Sequence, residues 1–316
     1  MPDAPPSAAH APDAVGVLGC GLVGLSWAAL FTARGLRTVC VDPRPDLAEA
    51  LAGALPPAHA ALGALGLAVE TPAEPEIHAD PAALAGLTYV QESGPDRLAP
   101  KRALLAAAEA HLPEHAILAS STSSLLPSDL QAHLARPERL LVAHPMHPPH
   151  LVPMVELVAG RRTAPETVDR AADFLAAHGR EVIRVRREVV GHLANRLTSA
   201  LYREAVHCVA EGIASVEDVD RAIAHGPGLR WALLGPHVIY HLGGGAGGYR
   251  GYLEHLGPTQ EARWREHGTP RLTPELVDRL VAGVEAELEG EDSADLARRR
   301  DAALVDLLAL KGRHGF

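Results

Sequence analysis

Two residues twelve positions apart, His144 and Glu156, have the types needed to take a proton from a secondary carbinol. An imidazole titrating near pH 7 suits removal of the hydroxyl proton, and a carboxylate on its other ring nitrogen fixes the tautomer and stabilises the imidazolium. General-base help of this kind is worth roughly 10²–10⁴ in rate. Ser123 and Asn195 add a hydroxyl and an amide that can hydrogen-bond the reacting oxygen. Each residue has a plainer reading as well. The chain has 18 histidines, a Ser/Thr cluster such as 120–124 is ordinarily a turn, and a buried asparagine ordinarily serves nearby backbone.

Loss of the carbinol hydride requires an acceptor, and residues 14–44 (AVGVLGCGLVGLSWAALFTARGLRTVCVDPR) read as a site for one. An apolar run meets Gly19, Gly21 and Gly24, a helical pattern follows, and a second apolar run stops at Asp42. Gly19 suits the tight turn, Gly21 lets a pyrophosphate approach the backbone, and Gly24 lets the helix lie close to the sheet. The helix start at Leu22 and Val23 offers unpaired N–H groups and a positive dipole end. Asp42 can accept from ribose hydroxyls. It favours NAD over NADP because a carboxylate repels a 2′-phosphate, while the nearby Arg44 works the other way. An ordinary βαβ turn also carries glycines; the acid ending the second strand argues for the nucleotide.

The elements that must position these groups follow from patterning. The first half alternates strand and helix patterns, which predicts a parallel sheet with helices on both faces. Short apolar strands are expected at 116–119, 140–143, 154–158 and 182–185, with Ser123 just past one carboxyl end and His144 at another. Open parallel sheets bind ligands there. Thr163-Ala164-Pro165-Glu166 reads as a capping box opening a helix that closes at Gly179. Beyond Gly191 the strand patterns stop: one helix is expected over 191–212, a second from Ser215 to near Gly226, a third from Thr273-Pro274-Glu275, and an amphipathic one over 301–310. The expected fold is therefore α/β: a Rossmann-type doubly wound domain over 14–188, a smaller all-helical domain over 189–316, and a disordered Pro- and Ala-rich tail over 1–13. The glycine-rich stretch 243–248 suits a loop at the cleft or a surface connection.

Composition narrows the partners. The 316 residues carry 29 basic and 39 acidic side chains, a net charge of −10, which argues against a nucleic-acid or anionic-membrane surface. Three cysteines without framework spacing fit a reducing compartment, and no apolar run reaches transmembrane length, so a cytoplasmic protein is expected. Cys20, inside the glycine turn, reads as a small filler. His144, His147 and His150 recur every three residues, but the intervening prolines impose an extended chain and no further ligand completes a shell, so no metal is expected.

The chain resembles the 3-hydroxyacyl-CoA dehydrogenase family along nearly its whole length. The resemblance rests on Gly19-x-Gly21-x-x-Gly24, Ser120-Ser121-Thr122-Ser123, His144-Pro145-x-x-Pro148, Val155-Glu156-Leu157-Val158 and Gly191-x-x-x-Asn195-Arg196. It implies that His144 is the base, Glu156 its partner, and Ser123 and Asn195 the substrate contacts. It also implies that Glu92 lies on the nicotinamide side, with Ser121 among the cofactor residues, and that the helical domain forms a homodimer. Gln91 to Arg97 looks most like the branch acting on free hydroxy acids such as carnitine and gulonate, which includes lambda-crystallin; residues 226–232 and the extended C-terminal helices look closest to its carnitine-oxidising members. One departure stands out: His147 occupies a place where the family usually has Asn, three residues after the base.

The substrate follows from charge. Coenzyme A brings several phosphate charges, whose binding normally takes Lys or Arg. Residues 45–96 contain neither, but do contain Asp46, Glu49, Glu70, Glu74, Glu76 and Asp80. A small free acid is thus favoured over a thioester. Arg230 is a candidate clamp for its carboxylate, and Trp231, with Tyr240, for a trimethylammonium group through cation–π contact; a helix-end arginine and core aromatics are the plainer alternatives. Three readings stay open: an NAD-dependent dehydrogenase of a small 3-hydroxy acid, a 3-hydroxyacyl-CoA dehydrogenase, and a crystallin-like protein without turnover.

Overall fold

The computed structural model describes residues 13–316, so the expected tail, Asp13 apart, lies outside the described residues. The chain divides between Arg196 and Leu197 into two compact units.

Among its described residues the first unit holds eight strands: β1 (Ala14–Leu18), β2 (Arg37–Val41), β3 (Glu76–His78), β4 (Tyr89–Glu92), β5 (Ile117–Ser120), β6 (Leu140–Pro145), β7 (Met154–Ala159) and β8 (Glu181–Val185). They form one sheet in the order β3-β2-β1-β4-β5-β6-β7-β8. Helices α1 (Leu22–Ala33), α2 (Leu47–Ala64), α3 (Leu98–Glu109), the one-turn α4 (Pro127–Leu130) and α5 (Pro165–Ala177) join them. Trp27 and Phe31 of α1 pack on one face with Tyr89 and Phe174, and Leu84, Leu105 and Leu130 pack on the other. Strand order reverses direction between β1 and β4, which opens the crevice at their carboxyl ends.

The α/β reading holds, but the sheet is not wholly parallel. β6 and β7 pair antiparallel, with His144 directly opposite Glu156, and the remaining pairs are parallel. Residues 146–153 make a plain return between the two strands, whereas a parallel crossover needs a dozen or more residues.

Thr163 does not cap α5. The helix opens at Pro165 with Ala164 at its cap and no side-chain cap, because the Thr163 hydroxyl donates to the Leu140 carbonyl at 2.6 Å. The helix does close at Gly179, where φ is +76°. The helix expected from Gly191 starts later, as α6 (Ala194–Ala210), because Gly191 and His192 are both left-handed, at φ +76° and +49°.

The second unit continues with α7 (Val216–His225), α8 (Pro227–Trp231), α9 (Pro236–Gly243), α10 (Gly248–Glu266), α11 (Pro274–Leu288) and α12 (Ser293–His314). Ser215 and Thr273 cap α7 and α11 as expected, accepting from Asp218 N and Leu276 N. α12 is much longer than the expected 301–310, because Asp292 caps it nine residues earlier. The glycine-rich stretch is a 3₁₀ turn (Gly245–Gly247) joining α9 to α10. Among the described residues no helix is long and apolar enough to cross a membrane.

Candidate functional site

The glycine turn joins β1 to α1. Gly19 sits at φ +88°, and a Cβ there would fall 2.6 Å from the Gly94 amide. A Cβ on Gly24 would fall 2.0 Å from the Gly19 carbonyl, whereas one on Gly21 would meet no protein atom within 4 Å. Gly24 is thus required by the turn itself rather than by the sheet. Gly21 keeps backbone bare on the open side, as close approach of a pyrophosphate demands. Leu22 opens α1 with its side chain 70% exposed, and Val23 follows it.

Asp42 directly follows β2 and holds this turn, accepting from Cys20 N at 2.8 Å and Arg44 N at 2.9 Å. A carboxylate has about four acceptor positions, so two remain for ribose hydroxyls. The Arg44 guanidinium is gripped by both oxygens of Asp46, at 2.8 and 2.6 Å, which counters its pull on a 2′-phosphate. Neighbouring Cys40, then burial, push the Cys20 thiol well above its usual range, so it stays protonated and inert, a filler as expected. These residues fit a bound NAD.

At the far side of the crevice, antiparallel pairing brings His144 and Glu156 together. Nδ1 of His144 lies 2.8 Å from Glu156 Oε2, with the side chains only 5% and 1% exposed. A carboxylate only accepts, so Nδ1 donates, and in the neutral ring Nε2 is left as the basic atom. The other carboxylate oxygen accepts from Leu193 N and Ala194 N, each at 2.8 Å, at the start of α6. Burial pushes the Glu156 pKa up, but the His144 hydrogen bond and these two N–H donors outweigh it and hold the group below its ordinary value. The pair is therefore an ionised acid beside a ring of fixed tautomer.

The Ser/Thr cluster follows β5. Ser123 is exposed, its N–H donates to Asp96 at 3.1 Å, and its carbonyl accepts from Asn195 Nδ2 at 3.2 Å. Thr122 donates its hydroxyl to the same carboxylate of Asp96. Ser123 and Asn195 are thus neighbours.

Two of the expected cofactor residues, Glu92 and Ser121, are each held by several protein partners. Glu92 is fully buried, and its carboxylate accepts from Lys101 Nζ at 2.8 and 3.1 Å, Ser120 Oγ at 2.5 Å and Gly94 N at 2.6 Å. These four donor contacts hold the carboxylate at the carboxyl end of β4, beside the crevice. Ser121 is likewise held: its oxygen accepts from Trp27 Nε1 at 3.2 Å and Gln91 Nε2 at 2.8 Å, which leaves its proton for Ser93 Oγ at 2.9 Å.

The return 146–153 carries His147, which is exposed. His150 in the same return pairs with Ser26 of α1 at 2.7 Å. Arg180 donates to the Pro149 carbonyl at 2.8 Å, with burial lowering its pKa to about 10. Arg230 and Trp231 lie on α8 in the second unit, where Trp231 is 39% exposed. Sequence reasoning missed Lys101, Asp96 and His192. Lys101 left no distinct signal, since Arg102 follows it directly and the pair reads as an ordinary solvated turn of helix. His192 left one, a polar residue inside Gly191-x-x-x-Asn195.

Family models for the 3-hydroxyacyl-CoA dehydrogenase NAD binding domain and for the C-terminal domain match residues 14–189 and 191–287. An L-carnitine dehydrogenase of Streptomyces griseus is 44% identical over 314 residues, 98% of this chain and 93% of that one. One from Bacillus cereus is 40% identical, covering 94% and 91%. Among solved structures, a 5-formyl-3-hydroxy-2-methylpyridine 4-carboxylic acid 5-dehydrogenase, an NAD+ dependent dismutase, superposes with a TM-score of 0.83 at 25% identity, covering 95% of this chain and 98% of that one. A 3-hydroxybutyryl-CoA dehydrogenase from Escherichia coli gives 0.59 at 28% identity, covering 72% and 49%. With the two family models spanning most of its length and such relatives along nearly all of it, the chain belongs to the 3-hydroxyacyl-CoA dehydrogenase family of NAD-dependent oxidoreductases.

Proposed function

We propose that this protein oxidises the 3-hydroxyl of a small free 3-hydroxy acid of the carnitine class to the 3-oxo acid, with His144 as general base. The observation that carries the reading is the buried His144–Glu156 pair, braced through Glu156 by the N–H groups that open α6. NAD, when bound, supplies the hydride acceptor. Nε2 of His144 takes the hydroxyl proton as the carbinol hydride leaves. Glu156 stabilises the imidazolium that results. Ser123 and Asn195 hydrogen-bond the reacting oxygen, and the Asn195 amide bond to the Ser123 carbonyl keeps the two in register.

Two observations favour a free acid over a thioester. Residues 45–96 hold no Lys or Arg to meet the phosphates of coenzyme A. The relatives named L-carnitine dehydrogenase match at 40–44% identity over nearly the whole chain. Arg230 is the proposed partner of the substrate carboxylate, Trp231 of a trimethylammonium group, and His147 a further substrate contact. We place the protein in the cytoplasm, since its three cysteines are free, and take it to be a homodimer through its helical unit.

Steady-state rates over L-carnitine, D-carnitine, 3-hydroxybutyrate, gulonate and 3-hydroxybutyryl-CoA, followed by NADH absorbance, test the substrate. The highest kcat/KM is expected on a carnitine enantiomer, and a preference for the thioester would overturn the reading. His144→Ala is expected to fold, to bind NADH as wild type does, and to lose about 10²–10⁴ of kcat. Near-wild-type turnover in that variant would remove the base.

A further inference from the structure

The Thr122–Ser123 turn, the His144–Glu156 pair and the start of α6 meet at one side chain, His192. It is fully buried. Its Nε2 lies 3.0 Å from the Thr122 carbonyl, and a carbonyl only accepts, so Nε2 carries the proton. Nδ1 then bears a bare lone pair, and this atom is buried with no hydrogen-bond partner. The ring centre stands 5.3 Å from that of His144, with the planes inclined at 53°. The backbone is left-handed, at φ +49° directly after Gly191 at +76°. This double left-handed turn immediately precedes the two N–H groups, of Leu193 and Ala194, that Glu156 accepts.

Three unfavourable features coincide here: an orphaned polar atom, a buried titratable ring, and a left-handed backbone at a bulky residue. A phenylalanine would fill the same space with no orphaned atom. What it would lose is the link to the Thr122 carbonyl, the residue just before Ser123. We propose that His192 is a positioning residue: a neutral imidazole, protonated on Nε2, that ties the substrate-contacting serine turn to the His144–Glu156 pair. The proposal rests on the reading of His144 as the base.

The groups that face His192 agree with a neutral ring. His144 approaches from β6, Glu156 from β7, and Asp96 from the segment before α3. Burial first, and then His144, lower the His192 pKa, against the opposing pull of the Thr122 carbonyl, Glu156 and Asp96. A charge on His192 would set a second cation beside His144 as that ring takes its proton.

Three variants of the full chain separate the possibilities. His192→Phe keeps a ring and loses the donor. His192→Asn accepts a left-handed backbone easily but its amide stops short of Thr122. His192→Gln can still donate to the carbonyl. Relative to wild type on the best substrate, kcat is expected to fall tenfold or more in the first two, and the third to recover to within threefold. The NADH Kd, by fluorescence titration, should stay within twofold in all three, which a general collapse of the fold would not allow. Histidine ¹⁵N spectra of the wild type should show His192 as the neutral Nε2-protonated tautomer through the pH range of activity. A His192→Phe or His192→Asn kcat within threefold of wild type overturns the proposal, as does equal loss in all three variants. A doubly protonated or Nδ1-protonated ring overturns it even if no variant folds. His144→Ala run beside them keeps the readings apart: if it retains turnover, the base reading fails, and if it is dead while His192→Phe is active, only the positioning role fails.

Discussion

Glu156 keeps its charge in a place with no exposed surface because His144 Nδ1 and two backbone N–H groups meet it there. Replacing it by glutamine keeps the shape but presents an amide N–H₂ to Nδ1, which favours the tautomer with its proton on Nε2 and removes the basic atom. Glu156→Gln is therefore expected to lower kcat by about 10²-fold or more, with NADH affinity unchanged by fluorescence titration. The same group sets a pH dependence. Its folded pKa lies below the ordinary glutamate value, so its stabilisation is fully present above that ordinary value and is lost as pH falls through the lowered one. Urea melts should show wild type and Glu156→Gln furthest apart near neutrality and converging in acid; a gap that does not close in acid would contradict the assignment. A second buried pair carries a purely structural prediction. Lys101 and Glu92 are 1% and 0% exposed, and removing one partner strands the other's charge. Lys101→Met should cost about 3–5 kcal/mol in urea unfolding, and adding Glu92→Gln should return part of it. His144, Glu156, Ser123 and Asn195 are legible in the sequence because strand ends and motif order mark them. Lys101, Asp96 and His192 are not, because their partners Glu92, Ser123 and Thr122 are found only through the fold, and neither propensity nor periodicity carries that information.

Elements place these residues through register. A slip of one residue between β6 and β7 would turn the His144 and Glu156 side chains to opposite faces, so their direct opposition depends on the return 146–153, held by Ser26 of α1 and by Arg180. Six of the eight strands are legible as apolar runs, within a residue or two; β3, a Glu-Ile-His triplet, and β4, which ends in Gln91-Glu92, are not, because their polar residues break the apolar pattern. The antiparallel pairing is not, because period-2 alternation has no sense of direction and the preceding β-α-β units argue for parallel neighbours. Caps are legible where the hydroxyl has no better acceptor nearby, as at Ser215 and Thr273, and illegible at Thr163, whose hydroxyl goes to Leu140. α2 runs through Pro56-Pro57, which local rules treat as a break; Leu47, Leu51, Leu55, Ala58 and Leu62 hold one face of it buried. The turn before α1 gives a paired test of element geometry. Gly21→Ala meets no protein atom, so its Tm should stay within about 1–2 °C of wild type while NADH affinity falls tenfold or more. Gly24→Ala drives its Cβ to 2.0 Å from the Gly19 carbonyl, so both Tm and NADH affinity should drop. Calorimetry with a fluorescence titration reads both, and equal behaviour of the two variants would show that Gly21 is not a cofactor contact.

For the molecule as a whole, the two units differ sharply in how they bury apolar surface. The first carries large clusters on both faces of its sheet. Among the described residues from Leu197 onward, the buried hydrophobics are Val206, Val209, Tyr252 and Leu276, while Leu201, Tyr202, Ile213, Val238, Leu242, Leu253, Trp264, Val277, Val281 and Val284 are 39–66% exposed. Exposed apolar surface on this scale marks an interaction site or an aggregation hazard. The net charge of −10 makes nucleic acid and anionic lipid poor occupants, because both are polyanions. A second copy of the same helical unit offers complementary apolar side chains, and a two-fold contact would cover both copies with one patch. The proposed homodimer then predicts a mass by light scattering of twice one chain, unchanged on dilution to low micromolar, since obligate interfaces are large and apolar. Val281→Glu, on the exposed side of α11, should shift that mass toward one chain, lower the thermal midpoint, and leave the Rossmann unit able to bind NADH. A wild-type mass of one chain, with these side chains still open to solvent, would remove the dimer.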